Sequence, residues 1–329
     1  MARANAAYYD QRNPFADFTT SPEISQVFGE LLGAWATICW QMLGCPRPVR
    51  LIEAGPGRGT LMVDALRTVQ RVAPRFREAI ELHLIETSPR LRGIQRQRLP
   101  DACWHESLDE VPPGPFILLA NEFLDALPIR QFIRGPRGWS ERYVASDGPI
   151  EHSSDARDVP ESWRDDPVGA VREVSPAAIE IIRMLGGRCV THRGVALFID
   201  YGPAESSVGD SLQAILDGEP ADPYAQPGSR DLTAHVDFGA LADAARAEGA
   251  TVHGPVPQGI FLARLGLFQR SHALARSLPP EQAATIMAAT RRLSEPDQMG
   301  RLFKAIAVSS GLQSCPGFED DASSQGNGT

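Results

Sequence analysis

The sequence predicts an α/β fold built on a parallel sheet of the nucleotide-binding kind, and three observations carry that expectation. Short apolar strands alternate with helical stretches along most of the 329 residues, which implies parallel strands joined by right-handed crossovers. The apolar run from Val49 leads straight into a glycine-rich loop that opens a helix, the usual start of such a sheet. No internal repeat divides the chain, so one domain with insertions accounts for its length.

Residues 1 to 20 are polar and aromatic. Ser21-Pro22-Glu23 reads as a helix start, with a capping hydroxyl, proline at the first helical position and an acid near the positive end of the helix dipole. The stripe Ile24, Val27, Phe28, Leu31, Trp35, Ile38 and Met42 continues that helix to a stop near Gly44, ahead of Pro46 and Pro48. A strand at 49–53, the loop Gly55-Pro56-Gly57-Arg58-Gly59 and a helix over 60–72 follow. Further strands are expected at 81–86, 103–105 and 116–120, with a helix over 90–98. Residues 129–133 and 139–144, separated by Gly135-Pro136-Arg137-Gly138, read as a hairpin, and 146–172 as a polar surface excursion. A helix over 176–185 leads to a strand at 195–199, and 203–235 shows little periodicity. Asp237 caps a helix over 238–248, a strand follows at 251–253, a helical insertion at 258–293 and a last strand at 302–308.

Composition narrows the function classes. Apolar residues make up 43% and charged residues 22%, an ordinary globular mixture that excludes disorder for the bulk of the chain. The longest apolar runs fall far short of the roughly 20 residues that span a bilayer, so no membrane insertion is expected. Residues 1–5 show no apolar signal core, and a cytoplasmic protein is the expectation. The 32 basic and 41 acidic residues give a net charge of −9, which opposes nucleic acid as a primary partner. Lys304 is the single lysine, a bias that a GC-rich genome explains. The five cysteines are scattered without C-x-x-C spacing, so they read as reduced thiols and no metal site is expected.

Glu53-Ala54-Gly55-Pro56-Gly57-Arg58-Gly59 is the sharpest local signal, because alternate glycines let backbone approach a ligand closely and turn into the next helix. A phosphate loop for ATP needs a Gly-Lys-Ser/Thr ending, and lysine is missing here. A dinucleotide fingerprint needs its third small residue where Thr60 stands. Glu53, two residues before the first glycine, suits S-adenosylmethionine instead: a carboxylate attracts that cofactor's ammonium and sulfonium and would sit badly beside a pyrophosphate. Glu86, at the end of the second strand, offers two acceptor oxygens to the two ribose hydroxyls. Both carboxylates also have a plain reading as strand-end charges.

Asn121-Glu122-Phe123-Leu124-Asp125-Ala126-Leu127-Pro128 follows the fourth strand, where ligands of a parallel sheet collect. If this segment is helical, Glu122 and Asp125 share a face and meet a cationic acceptor together; the alternative is a solvated helix start. His235 has the ordinary pKa of a general base, and Asp200, closing the fifth strand, could point into the same cleft. A structural histidine and a turn-forming acid explain these two about as well. Trp35, Trp40 and Phe28 read as core.

The motifs Tyr8-Tyr9, DFTTSPEISQ from Asp17 to Gln26, Phe28-Gly29-Glu30, EAGPGRGT, His83-Leu84-Ile85-Glu86, ANEFLDALP from Ala120 to Pro128, Ile199-Asp200-Tyr201-Gly202, GDSLQA from Gly209 and DLTAHVDF from Asp231 together resemble the MidA family of class I S-adenosylmethionine-dependent methyltransferases. The resemblance runs from about Tyr8 to Val308. It implies a Rossmann-like, seven-stranded class I methyltransferase sheet with its last strand antiparallel, in a single domain over 1–308. Helical and hairpin insertions near 129–172, 203–235 and 258–293 would form a substrate lobe, and 309–329 a disordered tail.

By the same resemblance the cofactor is S-adenosyl-L-methionine. Glu53, Gly55, Gly57 and Gly59 would hold its methionine end, Glu86 the ribose and Ser107 the adenine edge, with Thr19 and Asn121 also in the cofactor site and Asp17 to Glu23 closing over it. Mitochondrial members of the family are complex I assembly factors that dimethylate an arginine of a core subunit, which implies a protein substrate of that type. Glu122 and Asp125 would orient the guanidinium, with Asp200 and His235 as further catalytic candidates. The competing implication is an assembly factor that binds the cofactor without catalysis. The family pattern has a further helical segment before the Tyr-Tyr pair, a difference that an alternative or truncated start explains, and a glycine-containing stretch where this sequence passes directly from Pro14-Phe15 to Ala16-Asp17.

Overall fold

The computed structural model describes residues 1–11, 19–145, 148–154, 159–216 and 218–319. Its centre is a seven-stranded sheet assembled from β1 (Val49–Ala54), β2 (Ile80–Ile85), β3 (Cys103–His105), β4 (Phe116–Asn121), β9 (Gly194–Tyr201), β13 (Thr251–Pro257) and β14 (Phe303–Ser309). The strand order is β13-β14-β9-β4-β1-β2-β3. β4 and β2 run parallel to β1, β9 parallel to β4, and β14 antiparallel to both its neighbours, as expected. The chain leaves β1 for β2 on one side and reaches β4 on the other, so the switch point of the sheet lies between β1 and β4, outside their carboxyl ends.

Every central strand is buried on both faces, and alternate residues serve two cores. Leu51, Leu119 and Leu197 face one core with helices α3 (Gln26–Met42), α4 (Thr60–Val72), α5 (Pro74–Ala79), α9 (Gln258–Arg264) and α10 (Leu267–Ala275). Ile52, Leu118 and Phe198 face the other with α7 (Pro176–His192) and α8 (Phe238–Ala247). Trp35, Trp40 and Phe28 are buried in the first core, as expected, whereas Ile38 and Met42 of the predicted stripe are 42% and 38% exposed on the outer side of the helix end. None of the helices among the described residues is long and apolar enough to cross a membrane.

Several local expectations are corrected. The helix expected from Ser21 is two: α2 (Ser21–Ile24) ends at Ser25, which turns to extended backbone and caps α3 by accepting the Val27 N–H at 3.2 Å. Residues 122–127 form turns, not a helix. The polar excursion contains β7 (Gly148–Ser153) and β8 (Val171–Val174), which extend the hairpin β5 (Arg130–Gly135) and β6 (Gly138–Ala145) into a four-stranded antiparallel sheet. The stretch 203–235 contains β10 (Gln213–Leu216), β11 (Glu219–Ala221) and β12 (Asp231–Thr233), a small antiparallel sheet.

The start of the expected disordered tail also differs. Ser309 belongs to β14, and residues beyond it pack on the first core: Leu312 and Cys315 are buried, and Phe318 lies 5.1 Å from the Phe261 ring. The Trp35 indole N–H donates to Pro316 O at 3.1 Å. Residues 320–329 lie outside the described residues, as do Asp17 and Phe18 of the segment expected to close over the site.

Candidate functional site

β1 ends at Ala54 and delivers the glycine loop, in which Gly55, Gly57 and Gly59 all have positive φ, so the turn requires them. A Cβ on Gly55 would stand 2.9 Å from the Phe123 ring, so the loop and the segment after β4 are packed too closely for a larger residue. Gln95, fully buried on α6 (Pro89–Arg98), holds the loop from the other side: its Nε2 donates to Gly57 O at 2.7 Å and to Glu86 Oε2 at 3.1 Å, while its Oε1 accepts from Trp104 at 2.8 Å. Glu86 Oε1 accepts the Ser88 N–H at 2.9 Å. Burial raises the Glu86 pKa, partly offset by these donors.

Glu53 lies within the cleft, 3% exposed, and its Oε2 has no hydrogen-bond partner among the described residues. Burial, and then the charge of Glu86, push its pKa up to about 8. An orphaned buried acceptor of this kind is costly unless something supplies a donor.

Over the loop, Glu23 of α2 is fixed by Arg58 at 2.6 Å and Thr60 Oγ1 at 2.6 Å. After β4, Glu122 adopts φ of +49° and its N–H donates to Ile199 O at 2.9 Å. Its Oε1 accepts from the Ser21 N–H and from Asn121 Nδ2, both at 2.9 Å, so the carboxyl joins the start of α2 to the end of β4. Burial raises its pKa.

Asp200 explains why 122–125 is not helical. Its Oδ2 accepts the N–H groups of Phe123, Leu124 and Asp125 at 3.2, 2.9 and 3.2 Å, and its Oδ1 that of Tyr201 at 2.9 Å. Burial nevertheless pushes its pKa up to about 7. Asp125, 7% exposed, is raised well above the carboxylate range by burial first, and then by Asp200, Glu122 and Asp231.

Two chambers meet at this loop and share Gly55, Gly57, Leu91 and Glu122. One, of about 520 Å³, takes in Thr19, Glu53, Asn121, Glu122 and Asp125. The other, of about 460 Å³, takes in Glu86 and Ser107 with the apolar Ile85, Leu108 and Phe198. Together the chambers bring two buried carboxylates, Glu53 and Glu86, and an apolar wall to the glycine loop.

Of the expected site residues, Thr19, Glu53, Gly55, Gly57, Glu86, Ser107, Asn121, Glu122 and Asp125 therefore come together. Gly59 lines neither chamber and forms the left-handed cap of α4. Asp200 sits beneath the loop with its oxygens committed to backbone, not in the cleft. His235 opens on a separate cleft of about 360 Å³ beside Glu173 and Ser175, its ring edge-on to Tyr201 at 5.6 Å. Burial lowers its pKa.

The expectations missed Gln95, because a glutamine among arginines on a helix looks solvent-facing. They also assigned no role to Tyr201, Asp231 or Arg292, which line the larger chamber; the first two already stood inside recognisable motifs.

A family model described as an S-adenosyl-L-methionine-dependent methyltransferase matches residues 31–256. The chain is 35% identical to the mitochondrial protein arginine methyltransferase NDUFAF7 homolog of Drosophila melanogaster, over 95% of this chain and 80% of that protein. It is 32% identical to the human mitochondrial protein arginine methyltransferase NDUFAF7, over 93% and 76% respectively. A crystal structure from Burkholderia thailandensis with bound S-adenosyl-homocysteine superposes with a TM-score of 0.79 at 27% identity, covering 95% of this chain and 84% of that one. The cytoplasmic expectation is overturned, since these animal relatives are named as mitochondrial proteins and residues 1–5 carried no information on the point. The matched span, together with a carboxylate and glycine loop at the switch point of a seven-stranded sheet, places the chain in the family of S-adenosyl-L-methionine-dependent methyltransferases.

Proposed function

We propose that this methyltransferase acts on arginine side chains of a protein, with a complex I core subunit as the type of substrate. The observation that carries the reading is the meeting of Glu122 and Asp125 in the chamber that also holds Gly55 and Gly57. The relatives' names, which specify protein arginine methylation, support it.

In this reading Glu53 and the backbone at Gly55 and Gly57 hold the methionine end of the cofactor, Glu86 its ribose, and the slot beside Ser107 its adenine. Thr19 and Asn121 complete the wall on the Glu53 side. When bound, S-adenosylmethionine supplies an electrophilic methyl group. The chain's contribution is orientation and exclusion of water. A guanidinium has a pKa above 12, so the residues around it must fix its plane and take up the proton it loses. Glu122 and Asp125, whose pKa values burial raises, are suited to both tasks: an entering cation draws them into the ionised form, and each has the proton affinity to accept in turn. Asp200 acts through the backbone of the loop that presents them, which makes it a positioning residue.

The test incubates the protein with isotopically labelled S-adenosylmethionine and the complex I core subunit of the same cell, followed by mass spectrometry of the arginines. Label on arginine is expected. Glu122→Gln should bind S-adenosyl-homocysteine with unchanged affinity while losing most transfer, at least about 100-fold on the scale of a positioned acid–base group. Cofactor binding without label on any protein would replace this reading with that of a non-catalytic assembly factor.

A further inference from the structure

The two ends of the described chain are fastened to the body of the molecule in different ways. Asn5 of α1 (Ala2–Gln11) is buried and hydrogen-bonded: its Nδ2 donates to Ala126 O at 2.9 Å and to Leu232 O at 2.8 Å. The segment beyond β14 is held mainly by apolar contact, and it carries a thiol into that contact. Leu312 and Cys315 are buried in the first core, and Phe318 packs on Phe261. Gly317 lies against the same ring, where a Cβ would stand 2.6 Å from Phe261 Cδ2, and its carbonyl accepts from Arg264 Nη1 at 3.3 Å.

The surface that receives Cys315 is one face of α3. The bond from Trp35 Nε1 to Pro316 O, 3.1 Å long, joins residues 281 apart in sequence and fixes the immediate neighbour of Cys315 on that helix. Cys39 follows Trp35 by one turn, on the same face. Cys39 is fully buried, Cys315 is 1% exposed, and the two side chains interact directly within the first core. The other free thiols stand elsewhere: Cys189 faces Val308 O at 3.6 Å in the second core, and Cys45 and Cys103 are exposed.

While the segment is seated, the pair is inert. Neither thiol is open to a dissolved oxidant, and burial, reinforced by the neighbouring Cys315, raises the Cys39 pKa well above the ordinary thiol value, so almost no thiolate is present to react. A short terminal segment, however, opens locally at far less cost than the sheet unfolds, and lifting it uncovers both thiols together.

The geometry points to Cys39 and Cys315 as a latent cross-link, a dithiol that a small oxidised disulfide such as oxidised glutathione converts into a staple between the far end of the chain and α3. The Cys315 thiolate attacks one sulfur of the oxidant, forming a mixed disulfide and releasing one glutathione, which takes up a proton. As the segment swings back, the Cys39 thiolate attacks Cys315 Sγ, the Cys39–Cys315 bond forms, and the second glutathione leaves and is protonated. The protein loses two electrons and two protons, and the oxidant gains both. A disulfide acts chiefly on the unfolded chain, more strongly the longer the loop it closes, and this one closes most of the chain. Neither cysteine lines a cofactor chamber, so the staple changes stability and leaves the cofactor site as it is.

The test incubates the full chain under native conditions with oxidised glutathione, raised until the exposed Cys45 and Cys103 are consumed. The remaining thiols are alkylated in denaturant, and an unreduced digest is analysed by mass spectrometry. A peptide pair joined through Cys39 and Cys315 is expected, with Cys189 alkylated. The oxidised protein should melt at least about 5 °C above the reduced protein, a rise that dithiothreitol reverses. Cys315→Ala should show neither a link at Cys39 nor an oxidation-dependent rise, and comparing it with its own reduced form removes the cost of the substitution itself.

Cys39 and Cys315 both recovered alkylated, with Cys45 and Cys103 consumed, overturns the proposal on the wild-type protein alone. So does glutathione retained on Cys315 without the link, which would mean that the two sulfurs do not meet. A cross-linked protein that melts no higher than the reduced one likewise overturns the staple.

Discussion

Glu53 concentrates the electrostatics of the site in one carboxyl. Its pKa of about 8, raised by burial and by Glu86, means that the folded protein keeps a proton there from the ordinary carboxylate range up to about pH 8, while the unfolded chain has released it. The folded state thus binds more protons across that window, and the stability contributed by the neutral carboxyl is lost as pH rises toward 8. A cationic ligand reverses the preference. An ammonium beside Glu53 favours the ionised form, so cofactor binding below pH 8 must release a proton, and S-adenosyl-homocysteine affinity should rise from pH 6 to pH 8 and level off above. Glu53→Gln should remove that pH dependence and weaken binding by about 1.5 to 3 kcal/mol, the usual loss for a hydrogen bond to a charged group. Calorimetry in two buffers of different ionisation enthalpy measures both the affinity and the proton count. An affinity independent of pH in the wild-type protein would give the contact to another group.

Helices α3 and α4 cross where Gly29 and Gly33, one turn apart on α3, let the two backbones touch. A Cβ on Gly33 would stand 2.6 Å from Ala65 O and 2.8 Å from Ala65 Cα, and neither backbone atom can move aside cheaply. Gly33→Ala should therefore destabilise the fold by about 1 to 3 kcal/mol, the cost of overpacking, against the small gain alanine brings to a helix interior; urea unfolding would read the difference, and an unchanged midpoint would mean that the crossing is looser than it looks. The centre of the main sheet was legible in the sequence because β1, β4 and β9 are buried on both faces and stand out as apolar runs. The inserted strands were not. β7 is exposed along almost its whole length, and β10 to β12 have three or four residues each, too few for a period to show. The stripe from Ile24 to Met42 hid the break at Ser25 because apolar positions on both sides of it face the same core. At the site, strand-end spacing was enough to bring Glu53, Glu86, Gly55 and Gly57 to the cleft, while Gly59 turned out to cap α4. The conformation of Glu122 to Asp125 did not, since it is dictated by a carboxylate 75 residues away in Asp200. Gln95 owes its role to Trp104, Glu86 and Gly57, partners on three other segments.

The order of the molecule runs from the far end of the chain to the mouth of the site. Helix α3 continues, through the Ser25 break, into α2, whose Ser21 N–H meets Glu122 and whose Glu23 holds Arg58 of the glycine loop. Helix α3 is also held by the segment after β14, through Pro316 on Trp35, and, nearer its start, by Arg270 of α10, which pairs with Glu30 at 2.6 Å. Removing residues 310–329 would uncover Phe261 and Trp35, both fully buried, and leave the Trp35 N–H without its acceptor. Burial of one large apolar side chain contributes about 1.5 to 3 kcal/mol, and a buried donor left unmade costs about 1 to 3 kcal/mol. At about 2 to 4 °C per kcal/mol for a domain of 150 to 250 residues, and somewhat less for a longer chain, the truncated protein should melt at least about 5 °C lower. Phe318→Ala should lose part of that amount through its contact with Phe261. Because Arg270 still holds α3 in both variants, the lid formed by α2 should stay in place, and S-adenosyl-homocysteine should bind the truncated protein within about threefold of wild type at 20 °C, a difference below 1 kcal/mol. Thermal melts with and without the ligand separate the two effects. A lower melting temperature with binding retained confines the segment to stabilising the first core. Binding lost at a temperature where the truncated protein remains folded would instead mean that the lid depends on the chain's far end, and that Arg270 and Glu30 alone cannot hold α3 in register with the glycine loop.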